Sequence, residues 1–394
     1  MVNAVYDHII AIVIIGIVFI GAVVVLPAVN FVNERTVDQQ QLRNIALNVF
    51  NSILLDTGKG FNGTHWSTDW GSFDPFDESF TKRFGLSSSY QPGSYVLDPY
   101  KVQRLVKGYE LGTISYKRVK EILGIEDYSF NLKILPPFNI TNANGTRIDN
   151  QHSPITLSDS NLRYAIKVTY LDGKPIPNAI VITNIFYTTK DDFNITTCPK
   201  KLTNPLGLCE DSIALSTKDE IKSLIAVFKV TVADVATMVV TYKSSSVNIA
   251  DINLIGDNLI LTRTKDTPND NVWILNGTYI GGDRALNYLF NASKKNDKLY
   301  QLNTGAQRMW SKEYKGLSYD DPIFFVFNFW AVDPAGNGRS EIVIAGPSQN
   351  IMGYTVFEFG AALGSSRASI RLQRSVIISG LTYIAELTLW KDSL

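Results

Sequence analysis

The chain has 394 residues, 45% of them hydrophobic, and its 37 Lys and Arg balance 37 Asp and Glu. A neutral chain with scattered bases lacks the basic footprint of nucleic-acid binding. With only three His and two Cys, it offers little for a metal site or a histidine relay. The length is enough for two or three domains with separate cores.

The first element is apolar. From Ile9 to Val32 no residue is charged, and these 24 residues exceed the about 20 needed to cross a hydrocarbon core. The stretch is too long for a secretory signal, and "MVNAVYD" before it carries no Lys or Arg. A membrane anchor and a buried assembly helix both remain open. The following residues extend the pattern: Leu42, Ile45, Ala46, Val49 and Ile53 share one helical face. One helix is therefore expected from about Asn3 to Leu55, roughly 80 Å long and disturbed at Pro27.

A long N-terminal helix, apolar first and amphipathic second, with a proline inside it, resembles the spine of type IV pilins and their archaeal relatives. The leaders of that family end in a basic residue and Gly or Ala, which "MVNAVYD" does not match. The resemblance implies a filament whose core is a bundle of these helices. In it, Val13, Ile17, Ile20 and Val24 form a packing face, while Gly16, Gly21 and Pro27 shape helix approach. It also implies insertion in the membrane before assembly, copies of the chain as partners, and a final position on the cell surface.

Residues 57–152 read as an irregular region with short helices and a strand. His65, Trp66 and Trp70 offer a sugar-stacking surface, or aromatics that pin a loop. Asp98 before Pro99 predicts a capped short helix. A second helix starts at Thr113 or Ser115 and stops at Gly124, and a strand over "YSFNLKIL" ends at Pro136-Pro137. The stretch also looks like a recurring region of archaeal surface proteins.

Residues 153–247 read as a β domain. Leu162, Tyr164, Ile166, Val168 and Tyr170 alternate onto one face. "DGKPIPNAIVI" resembles the immunoglobulin-like domains of surface proteins, where G-x-P-x-x-x-A-x-V joins the first strands. Thr217 and Glu220 have the spacing of a capping box, which predicts a short helix. Residues 248–394 read as a second, sandwich-like domain of many short strands. A helix is expected in "DRALNYLFNASKK" and a hairpin turning at Ser379-Gly380, similar to the C-terminal edge of archaeal pilin-like proteins. The fold class expected is α+β, mostly β: the long helix of 1–56, then two immunoglobulin-like sandwiches. Removing residues 1–56 is expected to leave a folded body.

Cys198 and Cys209 lack the further ligands of a zinc site. A disulfide between them, closing their Pro- and Gly-containing loop and worth about 3 kcal/mol, is expected, with two buried thiols as the alternative. Sequons occur at Asn62, Asn139, Asn144, Asn194, Asn276 and Asn291, mostly in predicted loops, as fits an exported glycoprotein. Asp333, Asn337 and Glu341 offer calcium ligands, or an ordinary turn. "DPFDE" pairs carboxylates, as a glycosidase needs, or is a solvated loop. No GxSxG, P-loop, HExxH or GxGxxG stands in a fitting context, and no cofactor is expected. The chain reads as a structural, non-enzymatic surface protein, either a filament subunit or a monomeric anchored adhesin. Surface glycans are a further partner class.

Overall fold

The computed structural model describes residues 39–61, 63–68, 70, 78–105, 113–148, 152–158, 161–189, 193–214, 221, 223–243, 250–255, 258–263, 271–281, 285–291, 300–302, 309–313, 324–345, 357–362 and 368–392. It is mostly β. The expected helix is described over 39–55, here α1. Its earlier part, with Val13, Gly16, Ile17, Ile20, Gly21, Val24 and Pro27, lies outside the described residues. Among those described, no helix is long and apolar enough to cross a membrane.

After α1 come β1 (Lys59–Phe61), β2 (Trp66–Ser67) and β3 (Thr81–Arg83), which form a small sheet in the order β2-β1-β3. β4 (Val96–Leu97) leads into α2 (Pro99–Gln103), and α3 (Tyr116–Leu123) precedes β5 (Tyr128–Leu135). The local signals act as read. The Asp98 carboxylate accepts from the amides of Tyr100 and Lys101, with Pro99 at the helix start. Ser115 caps α3, and Gly124 closes it in the left-handed conformation.

A β-sandwich follows. β6 (Asn139–Asn142), β7 (Ile155–Ser158), β8 (Asn161–Thr169) and β12 (Leu208–Ala214) make one sheet. β9 (Ile180–Thr188), β10 (Phe193–Thr197), β11 (Lys201–Leu202), β13 (Ser223–Val232) and β14 (Val235–Lys243) make the other. Leu162, Tyr164, Ile166 and Val168 of β8 meet Val181, Ile185 and Tyr187 of β9 in one core. Strand β13 is apolar nearly throughout because both its faces are buried. Leu224, Ala226 and Phe228 face this sandwich core, while Ile225 and Val227 belong to the other core. Tyr170, read as the end of the inward alternation, lies beyond β8 and is 50% exposed, because the chain turns back over Tyr170–Gly173. Thr217 and Glu220 of the expected short helix lie outside the described residues.

The next strands are β15 (Ala250–Ile255), β16 (Asn258–Arg263), β17 (Asn271–Gly281), β18 (Ala285–Asn291), β19 (Tyr300–Leu302), β20 (Met309–Glu313), β21 (Phe324–Val332) and β22 (Gly338–Ala345). They form a sheet β15-β16-β20 and a sheet β18-β17-β21-β22, with β19 also on β17. The helix expected in "DRALNYLFNASKK" is instead strand β18, antiparallel to β17 with a bulge at Gly277/Thr278. Tertiary pairing overrides a weak helical pattern there.

The chain ends in β23 (Phe357–Gly360), β24 (Ser369–Ile378) and β25 (Leu381–Lys391). The β24–β25 hairpin turns at Ser379 and Gly380, both at positive φ, as two-residue hairpins require. These strands return to the start of the body and form a sheet in the order β23-β5-β25-β24-β4. A region read as 57–152 and the tail of the region read as 248–394 thus share one sheet. Leu132 pairs with Leu387, and Leu387 with Leu372. The helix uses the core this sheet builds, so cutting at residue 56 removes core side chains.

Candidate functional site

The seat of α1 is the first feature that bears on function. Ala46 and Ile53 are fully buried, Phe50 and Leu54 nearly so, and Leu42 and Val49 complete the face. They share one core with Phe130, Leu132, Ile134, Leu387 and Leu389. The helix end is bound through its carbonyls, which otherwise lack partners. The amides of Leu86 and Gly93 donate to the carbonyls of Ile53 and Leu55, at 2.8 and 3.2 Å. This close passage requires glycine at position 85, where a Cβ would meet the Asp56 carbonyl oxygen at 2.1 Å.

Beneath the seat lies a buried cation that sequence patterning did not single out. Lys101 is 0% exposed. Its Nζ donates to the carbonyls of Thr57 and Ser87, each at 2.9 Å, and lies 3.6 Å from the Asp98 carboxylate. One ammonium therefore joins the exit of α1, the segment before β4 and the cap of α2. A lysine in the first turn of a short capped helix looks like an ordinary solvated charge, so no signal marked it.

Cys198 and Cys209 both lie in the sandwich core as free thiols. Cys209 is on β12 of one sheet, while Cys198 follows β10 of the other and donates its amide to Thr183 of β9 at 2.8 Å. Burial pushes the Cys198 thiol up to about 12. Burial also raises Cys209, with Tyr164 and Lys201 offsetting part of the effect. The Tyr164 phenol between them is raised well above its ordinary range by burial; the neighbouring Thr183 hydroxyl offsets this only in part. Lys201 bridges to Asp211 at 2.5 Å across the same edge.

The sequons are placed differently from expectation. Asn139, Asn194, Asn276 and Asn291 lie in β6, β10, β17 and β18. Asn144 is exposed in a turn, and Asn62 is outside the described residues. The Thr of an N-x-T triplet is itself a good strand former, so a sequon alone does not mark a loop.

The aromatic loop does not assemble a sugar platform from His65, Trp66 and Trp70. Trp70 is 1% exposed, packs on Phe84 and donates its indole N–H to the Gly85 carbonyl at 2.9 Å. Trp66 remains 56% exposed, beside Phe61 and under the Lys59 ammonium, and His65 contacts its neighbour Thr64. In "DPFDE", Glu78 accepts from the Ser115 amide and hydroxyl at 2.6 and 3.0 Å, so it supports the start of α3. Residues 71–77 are outside the described set. The Asp333 carboxylate accepts from the Asn337 amide at 2.7 Å and from its side chain at 2.9 Å, which closes the turn between β21 and β22. Glu341 is buried on β22, opposite Phe329.

No family model and no curated protein matches the chain. Solved structures overlap with it only in part. A trypsin-activated alpha-2-macroglobulin from Escherichia coli is 10% identical at a TM-score of 0.19, covering 57% of this chain and 19% of that one. The FN1–FN3 domains of chicken CNTN1 are 11% identical at a TM-score of 0.15, covering 54% and 68%. A bacterial ice-binding adhesin is 11% identical at a TM-score of 0.16, covering 65% and 85%. The chain thus spans about a fifth of the macroglobulin's length, and overlaps of this kind assign neither a family nor an activity.

Proposed function

We propose that the chain is a structural subunit of an extracellular, pilus-like assembly. The helix from about Asn3 to Leu55 supplies the filament core, and immunoglobulin-like β domains face outward. The observation that carries this reading is the seat of α1. The lower helix buries Leu42, Ala46, Val49, Phe50, Ile53 and Leu54 in the body, and the chain before it is uncharged over Ile9–Val32. A membrane anchor needs about 20 apolar residues and no rigid junction with its cargo. Here the body clasps the helix with strands from both ends of the described chain, so load on the helix passes directly into a sheet.

In this reading the chain inserts in the membrane before assembly, then leaves it as Val13, Ile17, Ile20 and Val24 pack on neighbouring copies. The sequons and the cysteine pair suit an exported surface glycoprotein. The role is structural, without a catalytic step. The alternative is a monomeric, membrane-anchored surface adhesin, or minor pilin-like protein, using the same junction. Sedimentation of sheared surface material separates the two. The filament reading expects the chain in a heavy fraction that Ile17→Asp abolishes while the body still folds. An unchanged size distribution for this variant would reject it.

A further inference from the structure

Nine large hydrophobic side chains are exposed among the described residues, and five of them are Tyr170, Leu171, Ile180, Leu202 and Leu206. Single exposed hydrophobics are ordinary, but a cluster is not. Tyr170 and Leu171 follow β8, Ile180 opens β9, Leu202 ends β11 and Leu206 precedes β12, at one end of the β6–β14 sandwich, where Leu202 pairs with Ile180. Leu171 and Leu206 stand in the turns Tyr170–Gly173 and Asn204–Gly207, 52% and 64% exposed.

The loops are joined firmly. The Asn178 amide donates to the Thr203 carbonyl at 2.9 Å, and the Thr203 amide to the Ala179 carbonyl at 3.0 Å. The Thr203 hydroxyl donates to the Ile176 carbonyl at 2.7 Å and accepts from the Ala179 amide at 2.9 Å. The Val168 amide donates to the Gly207 carbonyl at 2.8 Å. Gly207 has φ +73°, and a Cβ there would meet the Val168 carbonyl oxygen at 2.4 Å. A surface fixed in this way loses little conformational freedom on docking.

Charge selects the occupant. In the two loops, Lys174, Lys200 and Lys201 stand against a single acid, Asp172, although the whole chain is neutral. Lys174 bridges to Asp172 at 2.9 Å and Lys201 to Asp211. Lys200 is exposed. Leu171 and Leu206, exposed in turns, and Leu202, exposed on β11, suit a soft partner that can close around them. Exposed leucines with a neighbouring tyrosine and lysines match the chemistry of a bilayer interface: hydrocarbon, headgroup and anionic surface. We propose that this end of the sandwich docks on an anionic lipid bilayer, inserting Leu171, Leu202 and Leu206. The contact does not depend on polymerisation.

The test uses the full chain, kept in solution by an amphipathic polymer, with an environment-sensitive fluorophore on Leu206→Cys. The two native cysteines are buried. Vesicles of phosphatidylglycerol should shift the probe emission to the blue, phosphatidylcholine vesicles should do so far less, and high salt should reverse the shift. Adding Leu171→Asp and Leu202→Asp should weaken the response about tenfold or more, with an unchanged melting temperature. No shift with phosphatidylglycerol overturns the proposal, even if the chain binds vesicles elsewhere. An equal shift with phosphatidylcholine overturns it as well. A shift without lipid that grows with protein concentration overturns it in favour of contact between copies.

Discussion

Ser129 donates a hydrogen bond from its hydroxyl to the carboxylate of Asp392 at 2.9 Å, across 263 residues of chain. Lys120 of α3 reaches the same carboxylate oxygen at 3.0 Å. The last strand is thereby tied to β5 and α3 at the start of the body. The sheet that seats α1 is complete only when the C-terminal hairpin has returned.

Truncation should expose this dependence. A chain starting at residue 39 is expected to fold with its β content intact, whereas one starting at residue 57 should unfold at markedly lower denaturant. The single change Phe50→Ala should cost about 3–5 kcal/mol. Urea titration followed by circular dichroism checks all three, and equal stability of the two truncated chains would show that α1 is not part of the core.

Lys101 should matter more than its place in a short helix implies. Lys101→Met keeps much of the volume but takes the ammonium away from two carbonyls and from the buried Asp98 carboxylate. The expected loss is about 3 kcal/mol or more, measured by denaturant unfolding. A loss within about 0.5 kcal/mol, as at an ordinary surface position, would contradict the buried linkage.

The cysteine pair is expected to oxidise in an exported chain, joining the two sheets of the sandwich. A non-reduced digest of native protein should contain one peptide pair linked through Cys198 and Cys209; two thiols open to alkylation after unfolding would refute it. The reduced form carries a pH signature. Both folded thiols ionise later than unfolded ones, so the folded state holds their protons more tightly. That contribution is complete below about pH 8.5 and is lost as pH rises towards about 12, where Cys198 ionises. The oxidised protein should lack this component in a comparison of melting temperatures.

Glu386 gives the opposite dependence. Burial alone would raise its carboxyl, but hydrogen bonds from Arg371 and Gln373, with the charges of Arg371 and Lys133, outweigh burial and hold it below the ordinary range. Gln373 donates at 2.7 Å, and Arg371 bonds the same oxygen. The stabilisation is present above about pH 4.3, where an unfolded glutamate is ionised. It is lost as pH falls through the lower folded value. Glu386→Gln should flatten the acid limb of the melting profile, and an unchanged limb would remove Glu386 from this role.

Local chemistry was legible where it is short-range. The Asp98-Pro99 start of α2, the Ser115 and Gly124 ends of α3, and the Ser379-Gly380 turn depend on a few neighbouring residues. The apolar face of Leu42 to Ile53 was legible as well, because helical periodicity repeats over several turns. The partnership of β5 with β25 was not: no local signal tells a strand which distant strand it will join. Lys101 was hidden for the same reason, since its two carbonyl acceptors, on Thr57 and Ser87, come from separate segments. Trp70 illustrates an ambiguity of type, because a tryptophan in a Gly- and Asp-rich loop reads equally as a platform or a pin. Burial under Phe84 decides it.

The most direct test of the central proposal is electron microscopy of native surface material, compared with material from cells carrying Val24→Asp. The account predicts filaments in the first, with helices bundled along the axis and β domains outside, and none in the second despite a folded body. Single membrane-bound copies in the native material, without filaments under any condition, would contradict it and leave the anchored adhesin.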